Sequence, residues 1–228
     1  MSDVKGAVLN LAQRNTSVLI GANVVTLVIR LFSTIILTRL LEPAAFGTIA
    51  IIGTVQTVLV IASDVGFYPY VVRDSRVAET RFLDQMWTLR LIRALILGGI
   101  TLAIARPTAL YVGVPDLELA LQITALQPIV EGLSSMAFAT AARGGEIKKL
   151  SMLDLIIALT QAVLSILLSI IWRDFWGMVI AATACSFLKT FLSYYLFSES
   201  RRRWNYSYEQ SKQLWSFGRH ILPSSMIS

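Results

Sequence analysis

Six stretches of this chain are each long and apolar enough to cross a lipid bilayer, and that pattern limits what it can fold into. A membrane-spanning helix needs about 20 mostly apolar residues. The stretches run over Thr16–Thr38, Phe46–Phe67, Met86–Ala105, Leu119–Ala142, Ser151–Trp172 and Trp176–Phe197. A seventh opens at Leu214 and reaches only to Ser228, too short to span. Hydrophobic residues make up 55% of the 228 and charged residues 15%, against roughly 25% charged in ordinary soluble domains. A soluble fold of this length could not hide so much apolar surface, so lipid must solvate much of it. The expected fold is an all-α integral membrane protein, a six-transmembrane-helix bundle over residues 16–198. Residues 1–15 form a cytoplasmic or interfacial N-terminus, 199–213 a cytoplasmic basic linker, and 214–228 the start of a truncated seventh helix.

Orientation follows from the loops, because Lys and Arg in short connections mark the cytoplasmic side. One set of connections carries Lys5, Arg14, Arg73, Arg76, Arg81, Arg143, Lys148, Lys149, Arg201, Arg202, Arg203 and Lys212. The opposite set carries Arg39, Arg106 and Arg173. The two alternate as six spans require, so the N-terminus is expected in the cytoplasm. The net charge of +6 is then topological, and no nucleic-acid partner is implied. The first apolar run starts after Arg14 and is too long and too polar for a cleavable signal, so it reads as a signal-anchor. The cytoplasmic connection Tyr68–Gln85 is of mixed charge and expected to hold an interfacial amphipathic helix. Arg201–Lys212, with Trp204, Tyr206 and Tyr208, has an interface-anchoring composition. The outer connections are Leu41–Ala45, Arg106–Glu118 and Arg173–Phe175.

A charge at the centre of a membrane helix costs roughly 2.5–3.5 kcal/mol on insertion scales, so each one needs a reason. Arg30 shares one face of the first span with Asn23, Thr26 and Ser33, spaced at three and four residues. It is either a substrate or anion contact in a cavity, or an assembly residue paired with a neighbouring helix. Glu131 shares a face with Thr124, Gln127 and Ser134 or Ser135 in the fourth span. Pro128 beside it frees the Thr124 carbonyl. A kinked helix with an acid at the kink suits a cation or proton site; a salt bridge, to Lys189 for example, is the structural alternative. Lys189, with Ser186, Thr190 and Ser193 nearby, allows the same two readings. Arg90 and Arg93 lie one turn apart near the cytoplasmic end of the third span. They either snorkel or form a phosphate-catching pair in a cavity. Asp64 closes the second span as a helix-end residue. Asp154, Gln161, Ser165 and Ser169 stripe the fifth span, which implies a hydrogen-bonded or wet interior shared among helices.

No catalytic constellation appears. The single histidine is His220, the single cysteine Cys185 sits in an apolar run, and no metal-ligand spacing or phosphate-binding loop is present. The chain is not expected to be an enzyme, and no cofactor or metal is implied.

The run Thr38-Arg39-Leu40-Leu41-Glu42-Pro43, followed by Phe46-Gly47, resembles the turn between the first two spans of polysaccharide flippases. These belong to the O-antigen and exopolysaccharide branch of the multidrug/oligosaccharidyl-lipid/polysaccharide superfamily. Ser63-Asp64-Val65-Gly66 is similar to that family's D-x-G motif, and the segment from Trp204 through Phe217-Gly218 to Pro223 is similar to the lead into its seventh span. In the turn, Pro43 stops the first helix, and Gly47 is expected to let the second pack closely. The resemblance implies one lobe of a two-lobe transporter, the C-terminal lobe being a partner or a missing half. It implies a polyprenyl-pyrophosphate-linked oligosaccharide as substrate, carried across the inner membrane by alternating access. A polysaccharide polymerase and a chain-length regulator are implied partners. Arg30, Arg90, Arg93, Glu131 and Lys189 are then the expected cavity residues, and Glu131 or Asp64 the expected ion-coupling residues. Rival readings are a multidrug or metabolite cation antiporter of the same superfamily and a non-transporting scaffold in a polysaccharide assembly complex. An integral-membrane transferase is disfavoured by the missing catalytic groups.

Overall fold

The computed structural model describes residues 2–63, 79–136, 147–196 and 204–206, with side chains from 19–63, 79–136, 148–196 and 204–206. Asp64, Gly66, the connection at 68–78, Arg143 and the 207–228 region lie outside the described residues. The described elements are all helices: α1 Ser2–Leu40, α2 Pro43–Ser63, α3 Thr80–Val112, α4 Asp116–Thr124, α5 Leu126–Gly132, α6 Ile147–Trp172 and α7 Trp176–Leu196. Five are long and apolar enough to cross a membrane: α1 through Leu19–Leu40, α2, α3, α6 through Lys148–Trp172, and α7.

Three boundaries differ from the sequence expectation. Helix α1 begins at Ser2 rather than Thr16 and has 39 residues, a length of about 58 Å and well beyond a bilayer core of about 30 Å. Helix α3 continues through Pro107 to Val112, so the expected outer loop at Arg106–Glu118 shrinks to Gly113–Pro115. The apolar run Leu110-Tyr111-Val112 carries the helix on past the proline. It stops at Gly113, whose φ of 77° is left-handed and open to glycine without a Cβ penalty. The Gly113 and Val114 N–H groups both close on the Ala109 carbonyl, at 2.9 and 3.2 Å. The third difference is the fourth stretch, expected as one span over Leu119–Ala142. Over its described residues, to Met136, it is two short helices, α4 and α5, separated by Ala125, with turns from Leu133 to Met136.

The helices pack in a sequence of neighbours: α1 along α6, α6 along α7, α7 against α4 and α5, α3 against the same two, and α2 against α3 and α4. At one end the termini of α1, α2, α3, α4 and α7 converge on an apolar core that includes Leu41, Ala45, Ala109, Leu117, Phe175 and Val179. This is the end of the 41–42 and 173–175 turns, called the turn end below. Proline opens α2 there, where its missing N–H would have no intrahelical partner anyway. The outward faces are apolar too: Ile20, Leu27, Leu31, Phe32, Ile61, Leu110 and Phe191 are all exposed. So many exposed apolar side chains along the spans suit lipid rather than water. The protein is therefore a multi-pass helical membrane protein.

Close helix contact comes from other glycines than the one expected. A Cβ at Gly47 would meet nothing within 4 Å, so Gly47 does not bring α2 against a neighbour, because its face of the helix points outward. Two tight positions are Gly132, whose Cβ would collide with the Ala94 methyl, and Gly98, whose Cβ would stand 2.6 Å from Ile129 Cδ1. Both join α3 to α5, next to the charged residues described next.

Candidate functional site: an ionic cavity beside a broken span

Pro128 has no N–H to return to Thr124, and the Thr124 carbonyl instead accepts from Gln56 Nε2 of α2 at 3.3 Å. Side-chain donors reach carbonyls along the rest of the broken span as well. The Val130 carbonyl accepts from the Thr190 hydroxyl at 2.9 Å, and the Leu133 carbonyl from the Tyr194 hydroxyl. Arg90 of α3 donates to the Gly132 carbonyl from Nε at 3.3 Å and from Nη2 at 3.2 Å. It also donates to the Ser134 carbonyl and, at 3.1 Å, to the Ser134 hydroxyl. The Ser135 N–H donates to Ser193 Oγ at 3.0 Å, and Gln127 Nε2 to Thr183 Oγ1 at 3.1 Å. Irregular backbone at membrane depth persists only where protein groups replace the lost intrahelical bonds. Here α2, α3 and α7 supply them.

Between the broken span and its neighbours lies a cavity of about 400 Å³. Its walls include Val60 of α2, Arg90 and Arg93 of α3, Pro128 and Glu131 of α5, Asp154 of α6, and Lys189 and Thr190 of α7. These come from the last turn of α2, the first half of α3, the first turns of α6 and the last turns of α7. The cavity thus occupies the end of the lobe opposite the apolar turn end.

Its charges are not equivalent. Arg90 is committed to backbone carbonyls. Arg93 donates to Ser63 Oγ from Nε at 3.1 Å and from Nη2 at 2.9 Å, and to the Val60 carbonyl at 3.1 Å. It ties α3 to the Val60–Ser63 turn of α2. Lys189 Nζ stands 3.7 Å from Asp154 Oδ1 and ties α7 to α6. The Lys189–Glu131 bridge named as the structural alternative is not formed, and Lys189 pairs with Asp154 instead. Glu131 is exposed to the cavity and within electrostatic reach of Arg90. Its carboxylate makes no hydrogen bond or ion pair among the described residues.

Four of the expected cavity residues, Arg90, Arg93, Glu131 and Lys189, line this one hollow. Arg30 does not. It is exposed on α1, which contributes no wall, and its guanidinium contacts no described polar group. Of the turn motif, Thr38 is exposed with its hydroxyl returned to the Ile35 carbonyl at 2.8 Å. Arg39 is exposed, Pro43 opens α2, and Phe46 packs on the apolar core. Gln56, Thr183 and Tyr194 were not anticipated. The signal for them was a polar side chain in an apolar span at the depth of the Pro128 kink. Among the described residues, no group of three or more His, Cys, Asp or Glu side chains is placed to hold a metal ion.

The profile of a family described as "Polysaccharide biosynthesis protein" matches residues 36–228. Neither a curated protein nor a solved structure matches the chain. The chain belongs to the polysaccharide biosynthesis protein family.

Proposed function

We propose that this polysaccharide biosynthesis family member is the N-terminal lobe of an inner-membrane flippase. In this reading it moves polyprenyl-pyrophosphate-linked oligosaccharide across the bilayer for O-antigen or exopolysaccharide assembly. The turn end faces outward and the cavity end faces the cytoplasm, as the loop charges imply. The observation that carries the reading is a hollow lined by Arg90, Arg93, Glu131, Asp154 and Lys189 inside an apolar bundle, at the end opposite the apolar core of Leu41, Leu117, Phe175 and Val179. A lipid-linked pyrophosphate cannot enter hydrocarbon without compensating charge. A lobe with a charged hollow toward one end and a packed apolar core at the other supports one state of an alternating-access cycle.

No bond is made or broken in such a cycle, and the role is that of a transporter rather than an enzyme. Binding energy need only differ between inward and outward states. Two lobes rocking about a shared site would supply that difference, so a second lobe is part of the proposal. A polymerase and a chain-length regulator are the partners that would consume the delivered oligosaccharide.

One feature favours a second reading, cation antiport. Arg90 and Arg93 are engaged by backbone carbonyls and Ser63, and Lys189 by Asp154. That leaves Glu131 as the cavity charge without a contact partner among the described residues. In a flippase the same carboxylate serves as the coupling site for a proton or sodium ion.

Deletion of the gene should abolish surface polysaccharide and leave lipid-linked oligosaccharide accumulating in the inner leaflet. The unaltered gene should restore export and a Lys189→Ala copy should not. Normal export from Lys189→Ala would remove the cavity from the mechanism. Unchanged export in the deletion strain would remove the flippase reading itself.

A further inference from the structure

At the turn end, far from the ionic cavity, the molecule carries a second hollow of about 340 Å³, walled by Trp172, Asp174, Trp176 and Ile180. The link between α6 and α7 builds it. Arg173 adopts φ 51°, a left-handed conformation uncommon outside glycine, and its N–H closes on the Ser169 carbonyl at 2.9 Å. The chain reverses within 173–175. Trp172, the last residue of α6, and Trp176, the first of α7, are left flanking Asp174.

The two indoles are presented differently. Trp172 is 46% exposed. Trp176 is half-buried and braced by stacking on the buried Phe175 ring, centroids 5.0 Å apart. Asp174 accepts from the Phe175 N–H through Oδ1 at 2.6 Å, while Oδ2 has no hydrogen-bond partner among the described residues. Gly177 makes the fold tight enough for this: a Cβ there would stand 2.7 Å from the Ser169 nitrogen.

We propose that this hollow is a saccharide-binding subsite that receives the sugar portion of the transported molecule at the outer face. The proposal rests on the flippase reading for its substrate class. A pyranose ring has an apolar C–H face that stacks on an indole, and hydroxyls around its edge that need acceptors. Rigid aromatic side chains give contact area at little entropic cost, and a carboxylate accepts hydroxyl hydrogen bonds more strongly than a neutral oxygen does. Trp172, Trp176 and Asp174 combine the two. Tryptophans at a membrane boundary also serve as interface anchors. An anchor needs neither a carboxylate between the rings nor a left-handed turn that fixes their separation. Arg173, exposed on the same turn, adds a donor for an acidic sugar.

The test uses the chain in lipid nanodiscs with Trp87, Trp204 and Trp215 changed to Phe, so that emission comes from Trp172 and Trp176. The probe is hexasaccharide released from the host's own surface polysaccharide. Saturable quenching or a shift in emission is expected. Asp174→Asn, which keeps the Oδ1 contact to Phe175, should raise the half-saturation concentration about tenfold, the equivalent of one charge-assisted hydrogen bond. Trp172→Phe should retain binding and Trp172→Ala should lose it. Emission indifferent to the saccharide but strongly quenched by brominated lipid would identify an interface belt and overturn the proposal. Saccharide binding in a chain whose gene deletion leaves export intact would uphold the subsite and overturn the flippase reading instead.

Discussion

The Arg90 guanidinium holds the Gly132 carbonyl with two of its nitrogens, at 3.3 and 3.2 Å, across the gap between α3 and the end of α5. It therefore acts as a clamp on unwound backbone before it acts as a charge for a ligand. Removing it leaves the carbonyls of Gly132 and Ser134, both buried residues, without that donor. Arg90→Ala should lower stability by about 2–3 kcal/mol, the penalty of orphaned buried acceptors, read as a lower melting temperature in detergent. Arg90→Lys should recover only part, because one ammonium cannot reproduce a forked planar donor. Unchanged melting of Arg90→Ala would show that the clamp is idle.

Gly132 and Ala94 meet where that clamp sits, and a methyl on Gly132 would overlap the Ala94 methyl. Gly132→Ala should destabilise by about 1–3 kcal/mol through overpacking. Adding Ala94→Gly should return part of the loss, less the cost of about 0.5–1 kcal/mol for glycine in a helix. Gly47→Ala, with open space around it, should keep melting at least as high as the parent, raised by up to that same helix term of about 0.5–1 kcal/mol. A loss at Gly47 as large as at Gly132 would contradict the packing described.

The contrast between Gly132 and Gly47 shows what the sequence could and could not disclose. Apolar length and loop charge are local properties, so helical membrane segments were readable at once, and the 173–175 turn falls where it was expected. Pro128 announced an orphaned Thr124 carbonyl, because that consequence is fixed by covalent structure. Which donor answers it is a tertiary matter: Gln56 lies in another helix and nothing near it in sequence points to Thr124. The same holds for the charges. Arg90, Arg93, Glu131 and Lys189 were identifiable as residues needing a reason. That two of them face carbonyls, and that Lys189 chooses Asp154 over Glu131, depends on helix rotation. The Pro107 boundary was misread because the residues after it remain apolar enough to continue the helix.

The Lys189–Asp154 pair, 3.7 Å apart with side chains 37% and 61% exposed, is a partly solvated contact and should contribute only about 0.5–1 kcal/mol to stability. A double-mutant cycle with Lys189→Met and Asp154→Asn should return a coupling in that range. The exchange Lys189→Asp with Asp154→Lys should restore melting that either reversal alone reduces. Strict additivity would mean the two side chains do not interact in the folded lobe.

Arg30 should behave in the opposite way to Arg90. Its guanidinium contacts no described polar group and its side chain is exposed on α1. Arg30→Ala should therefore leave melting and membrane insertion unchanged while abolishing polysaccharide export. The loss belongs to the reading in which α1 faces a second lobe across the substrate path. Export at the normal level would make Arg30 dispensable. A large drop in melting temperature would place it in the lobe's own packing.

The two ends of the lobe can be assigned to sides of the membrane by cysteine labelling. Cys185, buried within α7, is first replaced by Ala so that added thiols report alone. Asp116 begins α4 at the turn end and is exposed, as is Glu42 in the turn between α1 and α2. Ser2 begins the 39-residue α1, which at about 58 Å carries its start beyond the opposite face of a bilayer core of about 30 Å. With the loop charges on the cytoplasmic side, Asp116→Cys and Glu42→Cys should react with a membrane-impermeant maleimide in intact spheroplasts, and Ser2→Cys only after the membrane is opened. Labelling of Ser2→Cys in intact spheroplasts, with Asp116→Cys protected, would invert the lobe. The Trp172–Asp174–Trp176 hollow would then face the cytoplasm and the Glu131 cavity the outside.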